Sequence, residues 1–457
     1  MKTLLYTSAL GFICMIVEML NMRRFIVPVA VTGIAVIFGL NLLDWGLAES
    51  HFNGMLVTDN YSVAFSGLLL LIGFLVLILS GNFYKNEESK LSDYLTIILF
   101  TLVGALAMVS FGNIAMFYLG IELLSISLYV LAGSKKKDLR SNEAGMKYFL
   151  MGSFASGILL FGITLIYGET ASFNLGGISS YLTSHAAPSI LFYVGVGMIM
   201  IAMLFKVSAA PFHFWAPDVY EGSPTLTTAM MSTMAKIAAF AAFYRLFSTC
   251  FVSAIPAFAW VLSGVAALTL AIGNLSALQQ DSFKRLLAFS GISHAGYLLL
   301  GIMSLYGNTD GALLFYSFAY AVASLAAFAV AIVVANNVGN EKIEAFNGLG
   351  KRKPFLAFAL TIAMLSMAGI PPFAGFFAKY YIFSEAVRNG HLLITLFAVV
   401  ASIVAVFYYF KVIVAMYTKD SSETAFDIKP AYLFVITFCV VLTILFGIFP
   451  SQLANLL

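Results

Sequence analysis

Lys206, Lys236 and Lys379 stand inside stretches of sequence that are otherwise almost wholly apolar, and Glu122 is the one acid at the middle of such a stretch. A lysine in water titrates near about 10.4 and exchanges no protons usefully at neutral pH, whereas burial lowers that value by several units and a nearby carboxylate opposes the drop. Amines and a carboxyl group in apolar surroundings therefore point to proton transfer. A charge at the middle of a membrane costs at least about 2.5 to 3.5 kcal/mol, so such residues usually face protein or water and often carry function.

Two further lysines have simpler explanations. Lys147 follows Glu143 by four residues, and a helical i,i+4 ion pair accounts for it on spacing alone. Lys411 lies near the end of its apolar stretch, within reach of water by snorkelling. Lys236 is different. Thr225, Thr228, Ser232 and Lys236 follow one another at steps of three, four and four, which predicts one helical face lined by hydroxyls and suggests a hydrated path. Hydroxyl side chains also glue membrane helices together, but packing alone does not require the ammonium. Lys206 precedes Pro211, which lacks an amide hydrogen and predicts a helix break near Ala209 to Pro211. Gly369, Pro371, Pro372 and Gly375 predict a second break just before Lys379. Irregular backbone at membrane depth survives only where it is buried or lines an aqueous cavity.

The elements that must position these residues follow from composition. Of 457 residues, 61% are hydrophobic and 10% charged, and the mean hydropathy is +0.97, values that no water-soluble globular domain tolerates. Apolar runs of about 20 residues recur along the whole chain, and about fourteen of them meet the length needed to cross a bilayer. The runs lack the period-two alternation of a membrane barrel, so the fold class is an all-α polytopic membrane protein. Loops after odd-numbered spans hold 16 Lys and Arg, and the opposite side holds 3. The positive-inside rule then places both termini outside and those loops in the cytoplasm. The charge pattern reports topology and leaves no footprint of a nucleic-acid partner. The two breaks fall at corresponding places in two five-helix units, the pattern of an inverted repeat. The expected organisation is three N-terminal spans over 1–92, a first repeat over 93–247, a second over 254–417, and a last span within 431–457.

The segment LFKVSAAPFHFWAPDVYEGSPTLTTAMMSTMAKIAAFAAFYR, with YLGIELLSISLYVL, NEAGMKYFLMGSFASGILLFG, DSFKRLLAFSGISHAGYLLLG and GIPPFAGFFAKYYIF, resembles the antiporter-like membrane subunits of respiratory complex I, the NADH:quinone oxidoreductase. The resemblance covers nearly the whole chain, and the APDVYEGSP continuation is the part specific to the subunit N branch. It implies that Glu122 of GIELLS and Lys206 of the broken helix form a coupled pair, so that moving Glu122 toward or away from Lys206 would load or release a proton. It further implies that Lys236 is the central proton carrier, Lys379 the exit-side lysine of the second half, and Lys147 of EAGMKYF a further lysine of the same path. His294 of SHAGY resembles a relay position, and an intrinsic pKa near about 6.5 suits it to that task. A packing role, bonded to Ser290 one turn earlier, is the competing reading.

Nothing in the sequence performs a redox step. Cys14, Cys250 and Cys439 lie in separate spans without iron-sulfur spacing, and no Gly-rich phosphate loop follows a strand. His213 and Trp215, beside the first break, read as packing elements without a companion ligand cluster. The first span has no small-residue cleavage site and is expected to be retained. No cofactor is expected in this chain; the resemblance places flavin, iron-sulfur clusters and quinone in partner subunits. The partners it implies are antiporter-like subunits M and L and small subunits K and J within the bilayer. The expected function is proton translocation coupled to quinone reduction elsewhere in the complex. A subunit of a related cation/proton antiporter or membrane-bound hydrogenase is the alternative with the same fold, and a membrane scaffold without a proton path is the alternative of another class.

Overall fold

The computed structural model describes residues 1–85, 90–184, 188–419 and 426–457. Helices α1 (Lys2–Met19), α2 (Ile26–Leu43), α3 (Asn60–Phe83), α4 (Leu91–Ser110), α5 (Ile114–Ala132) and α6 (Leu139–Thr170) run in succession. A short helix, α7 (Leu175–Ser184), follows before α8 (Ile190–Lys206), α9 (Trp215–Gly222), α10 (Thr225–Met230) and α11 (Lys236–Thr249). The second half comprises α12 (Ile255–Leu278), α13 (Phe283–Met303), α14 (Thr309–Val338), α15 (Leu349–Arg352), α16 (Pro354–Ala368), α17 (Ala374–Arg388), α18 (Leu392–Thr418), α19 (Pro430–Ile448) and α20 (Ser451–Ala454). The long helices coincide with the apolar runs, and several of them begin at polar residues that cap them. Asp59 and Ser62 form a capping box at the start of α3, while Asn113, Asp138 and Ser282 accept from backbone amides at the starts of α5, α6 and α13. Pro354 and Pro430 open α16 and α19, where a missing amide hydrogen costs nothing.

Among the described residues, 12 helical segments are long and apolar enough to cross a membrane alone. The remaining apolar helices, α8 and α16, are shorter, and each is followed by a break and a second helix, as Pro211 and the Pro371-Pro372 pair predict. At the first break Ser208 adopts φ 60, and the Ala210 amide donates to Thr269 Oγ1 at 2.9 Å, so the irregular backbone is tied down inside the protein. At the second, Gly369 adopts φ +86, and the backbone N–H groups of Gly369 and Ile370 donate back to α16 carbonyls.

Burial sorts the helices into shells. Thr225–Thr249, α13 and most of α14 are enclosed by other helices, whereas α1, α2, α6 and α12 turn large apolar side chains outward. Two features are absent from the sequence reading. A hairpin pairs Glu49–His51 with Leu56–Thr58, and the short helix α7 precedes α8. The last long helix ends at Ile448, and the chain turns at Pro450 into α20.

Candidate functional site

Lys206 ends α8 and aims its ammonium at α5, where it donates to Ser125 Oγ. Ser125 in turn donates to the Ile121 carbonyl at 2.5 Å. Glu122 lies one turn earlier on α5 and accepts from Ser156 Oγ of α6. Glu122 and Lys206 are therefore neighbours held apart by serine hydroxyls. A cavity lined by Ser125, Tyr129, Ser156 and Lys206 has room for about one water.

Lys147 does not join that pair. It bonds Glu143 at 2.7 Å, as the spacing predicts, and also Asp218 of α9 at 2.9 Å. Arg285 of α13 reaches the same Asp218 at 2.8 Å and Glu221 at 3.1 Å. Asp218 thus links α6 to α13 through the second piece of the broken helix. With Arg140, these acids and Lys147 line a polar basin on the face that carries the Lys/Arg-rich loops. Lys411, as its position suggests, meets Asp281 at 3.1 Å near the surface.

Lys236 lies at the centre of the bundle. A five-residue π-helical segment, Met231–Ala235, joins α10 to α11 directly before it. Such segments widen the helix and recur at functional sites. The Lys236 ammonium donates to the Gly291 carbonyl of α13 at 2.5 Å. Glycine is needed there because a Cβ at 291 would stand 3.0 Å from Nζ. Ser232 shares a hydrogen bond of 2.8 Å with Tyr320 of α14, and Lys236 Nζ stands 6.0 Å from the centre of the same ring.

His294 of α13 is bonded on both ring nitrogens by phenols, Tyr316 at Nδ1 (2.6 Å) and Tyr409 at Nε2 (3.2 Å). Ser290 bonds Tyr409 and not the histidine, so His294 is bonded between helices through the two phenols. The Tyr320 ring lies 4.6 Å from the His294 ring and the Tyr297 ring 5.9 Å from it. Lys379 of α17 stands 4.9 Å from the centre of Tyr297 and donates to Ala368 O (2.8 Å) and Ser402 Oγ (2.7 Å). Gly369 makes room for it, since a Cβ there would meet Lys379 Cδ at 2.9 Å.

The structure brings Lys236, Tyr320, His294, Tyr297 and Lys379 into one row across α11, α14, α13 and α17. It places Glu122 and Lys206 together in the first half and Lys147 apart, toward the basic face. None of Lys206, Lys236 and Lys379 forms an ion pair among the described residues. An ammonium held by neutral oxygens alone is free to lose and regain its proton without breaking a salt bridge. The tyrosines were invisible in the sequence because 22 of them are spread through it. Tyr297 alone carried a signal, three residues after His294 and hence on its face. His213 and Trp215 are packing elements as read: His213 is buried against Phe214, and Trp215 stacks on Tyr148 at 4.7 Å. No group of three or more His, Cys, Asp or Glu side chains suited to a metal occurs among the described residues.

Residues 112–405 match the family model described as NADH:quinone oxidoreductase/Mrp antiporter, TM. The chain is 49% identical to NADH-quinone oxidoreductase subunit N of Flavobacterium psychrophilum, over 100% of both chains. A chain of respiratory complex I from Thermus thermophilus with bound aureothin superposes with a TM-score of 0.84 at 31% identity, covering 99% of this chain and 98% of that one. A chain of the Mrp complex from Dietzia sp. superposes with a TM-score of 0.87 at 20% identity, covering 99% and 95%, and so shares the fold.

Proposed function

The chain belongs to the NADH-quinone oxidoreductase subunit N family, within the wider NADH:quinone oxidoreductase/Mrp antiporter membrane proteins, and from that premise we propose that it carries protons across the membrane while quinone is reduced in other subunits of the same complex. The observation that carries the proposal is the row of buried amines, phenols and imidazole from Lys236 to Lys379, at the depth where fixed charge is most costly. A scaffold has no use for two buried lysines, Lys236 and Lys379, without counterions among the described residues.

In this reading Glu122 and Lys206 are the control pair of the first half. Displacing the carboxylate toward Lys206 favours its charged form, and withdrawing it favours release. The proton passes to Lys236, then through His294 to Lys379. Neutral imidazole donates from one nitrogen and accepts at the other, so Tyr316 and Tyr409 hold opposite roles and fix which nitrogen carries the hydrogen. Lys147 supplies protons from the polar basin. The two broken helices mark two inverted five-helix repeats, 93–247 and 254–417, between a three-helix leader over 1–92 and a closing helix within 431–457, giving fourteen crossings. The Lys/Arg-rich loops face the bacterial cytoplasm, which puts both termini outside.

Flavin, iron-sulfur clusters and quinone belong to partner subunits in this account, and the neighbours in the membrane are the antiporter-like M and L and the small K and J subunits. Purification of the tagged chain from native membranes in mild detergent tests the assignment. Flavin, iron-sulfur proteins and other antiporter-like chains are expected in one assembly with NADH:quinone reductase activity. Recovery solely with cation-antiporter subunits, without redox centres, would overturn it.

A further inference from the structure

The hydroxyl stripe below Lys236 begins at a built polar mouth. Thr225, its first rung, donates to Glu341 Oε1 at 2.8 Å. The other oxygen of the same carboxylate meets Lys284 Nζ at 2.8 Å. Lys284 is buried, with 5% of its side chain exposed, whereas Glu341 keeps 43%. The carboxylate is thus the wet member of the cluster and the ammonium the dry one. Lys284 also donates to the Ser223 carbonyl at 3.0 Å, and the Ser223 hydroxyl beside it is buried with no partner among the described residues. Backbone bonds hold Glu341 in place: its carbonyl accepts from Phe283 N at 3.1 Å, and Ile343 N donates to Asp281 O at 2.9 Å. Lys135 and Glu221 are the other charged groups within electrostatic reach of Lys284.

We infer that Glu341 is the intake carboxylate for Lys236, with Lys284 as its positioning residue and Thr225, Thr228 and Ser232 as the rungs between. An ion pair that merely fastened the 341 segment to α13 would satisfy Lys284 with one oxygen and leave the other in water. Instead the second oxygen is turned inward onto the first rung of a buried stripe that ends at Lys236; Thr225, Thr228 and Ser232 are all enclosed. Successive rungs lie about one helical turn, or 5.4 Å, apart, a span that a single water bridges.

The transfer balances as follows. Glu341 takes one proton from water on the basic face and becomes a carboxylic acid, still oriented by Lys284, which stays charged. It gives that proton to the Thr225 oxygen while Thr225 passes its own hydrogen to the next water, and the shift repeats to the neutral Lys236 amine. One proton leaves the water and one ammonium forms, and each hydroxyl, left pointing at its donor, is restored when it turns back toward its acceptor.

The inference rests on the proton-path reading, and the test separates the two. Electron flux from NADH to quinone is measured in membranes with the gradient dissipated, with assembly verified on native gels, for Glu341→Gln, Thr225→Val and Lys236→Ala, with and without added formate. Glu341→Gln is expected to lower flux by about tenfold or more, the scale of a lost acid-base group, and formate, a small carboxylic acid, is expected to restore it. Thr225→Val is expected to slow flux as well, and Lys236→Ala to stall it with no response to formate. Flux within about twofold of wild type in Glu341→Gln, with Lys236→Ala stalled, would overturn the intake role and leave the proton path standing. Slow flux that formate does not restore would assign Glu341 a structural role and equally overturn it. Undiminished flux in all three variants would remove the proton path itself.

Discussion

Arginine in place of Lys236 separates a proton carrier from a fixed charge. Guanidinium stays protonated above about pH 12 and cannot release its proton, whereas it satisfies a carbonyl such as that of Gly291 as well as an ammonium does. Lys236→Arg is therefore expected to assemble normally and to stall quinone reduction, read as NADH oxidation in membranes. Tyr297 gives a finer test. Its ring lies against both His294 and Lys379, and its hydroxyl is buried. Tyr297→Phe deletes that oxygen alone and is expected to slow turnover by about tenfold while leaving assembly intact; unchanged turnover would take Tyr297 out of the path. What the sequence revealed at this scale was charge in the wrong solvent, which is why Lys206, Lys236, Lys379 and Glu122 stood out. Tyrosines are ordinary in membrane interiors, so their place between His294 and the two lysines required the fold. Arg245 and Lys284, near helix ends, are also buried, because those ends tuck inward where a partner waits.

At the scale of the element, the breaks were legible because proline cannot continue a helix whatever surrounds it. The π-helical segment before Lys236 was not, since an apolar run has no marker for one wide turn. The same applies to α7, ten residues too polar to span and too short for a periodic signal. The second break makes its own prediction. Gly369 holds φ +86, and a side chain there is strained by about 1 to 2 kcal/mol while pressing on Lys379. Gly369→Ala is expected to reduce turnover in proportion well beyond any loss of assembled complex on a native gel. Equal losses in both would mean that the break serves folding and not the placement of Lys379.

Across the whole molecule, Lys and Arg gather in the loops of one face, and one half-buried ion pair fastens the opposite face. Arg245 at the end of the enclosed helix grips Asp59 at 2.6 and 3.2 Å and also the Val109 carbonyl at 3.0 Å, tying α11 to α3 and α4. Asp59→Asn removes the counterion of that guanidinium, and a loss of assembled complex is expected on native gels. A cysteine at Lys136 is expected to react with an impermeant thiol reagent in inverted vesicles and not in intact cells; labelling from outside would reverse the orientation. The central claim is that Lys236 carries the translocated proton, and purified complex in liposomes tests it most directly, with proton release and quinone reduction recorded together for wild type and Lys236→Ala. The account predicts an assembled variant in which both fall by more than about tenfold, since electron flow stalls when an obligatory proton step is blocked. Wild-type proton release and electron flux from a fully assembled Lys236→Ala complex would contradict it.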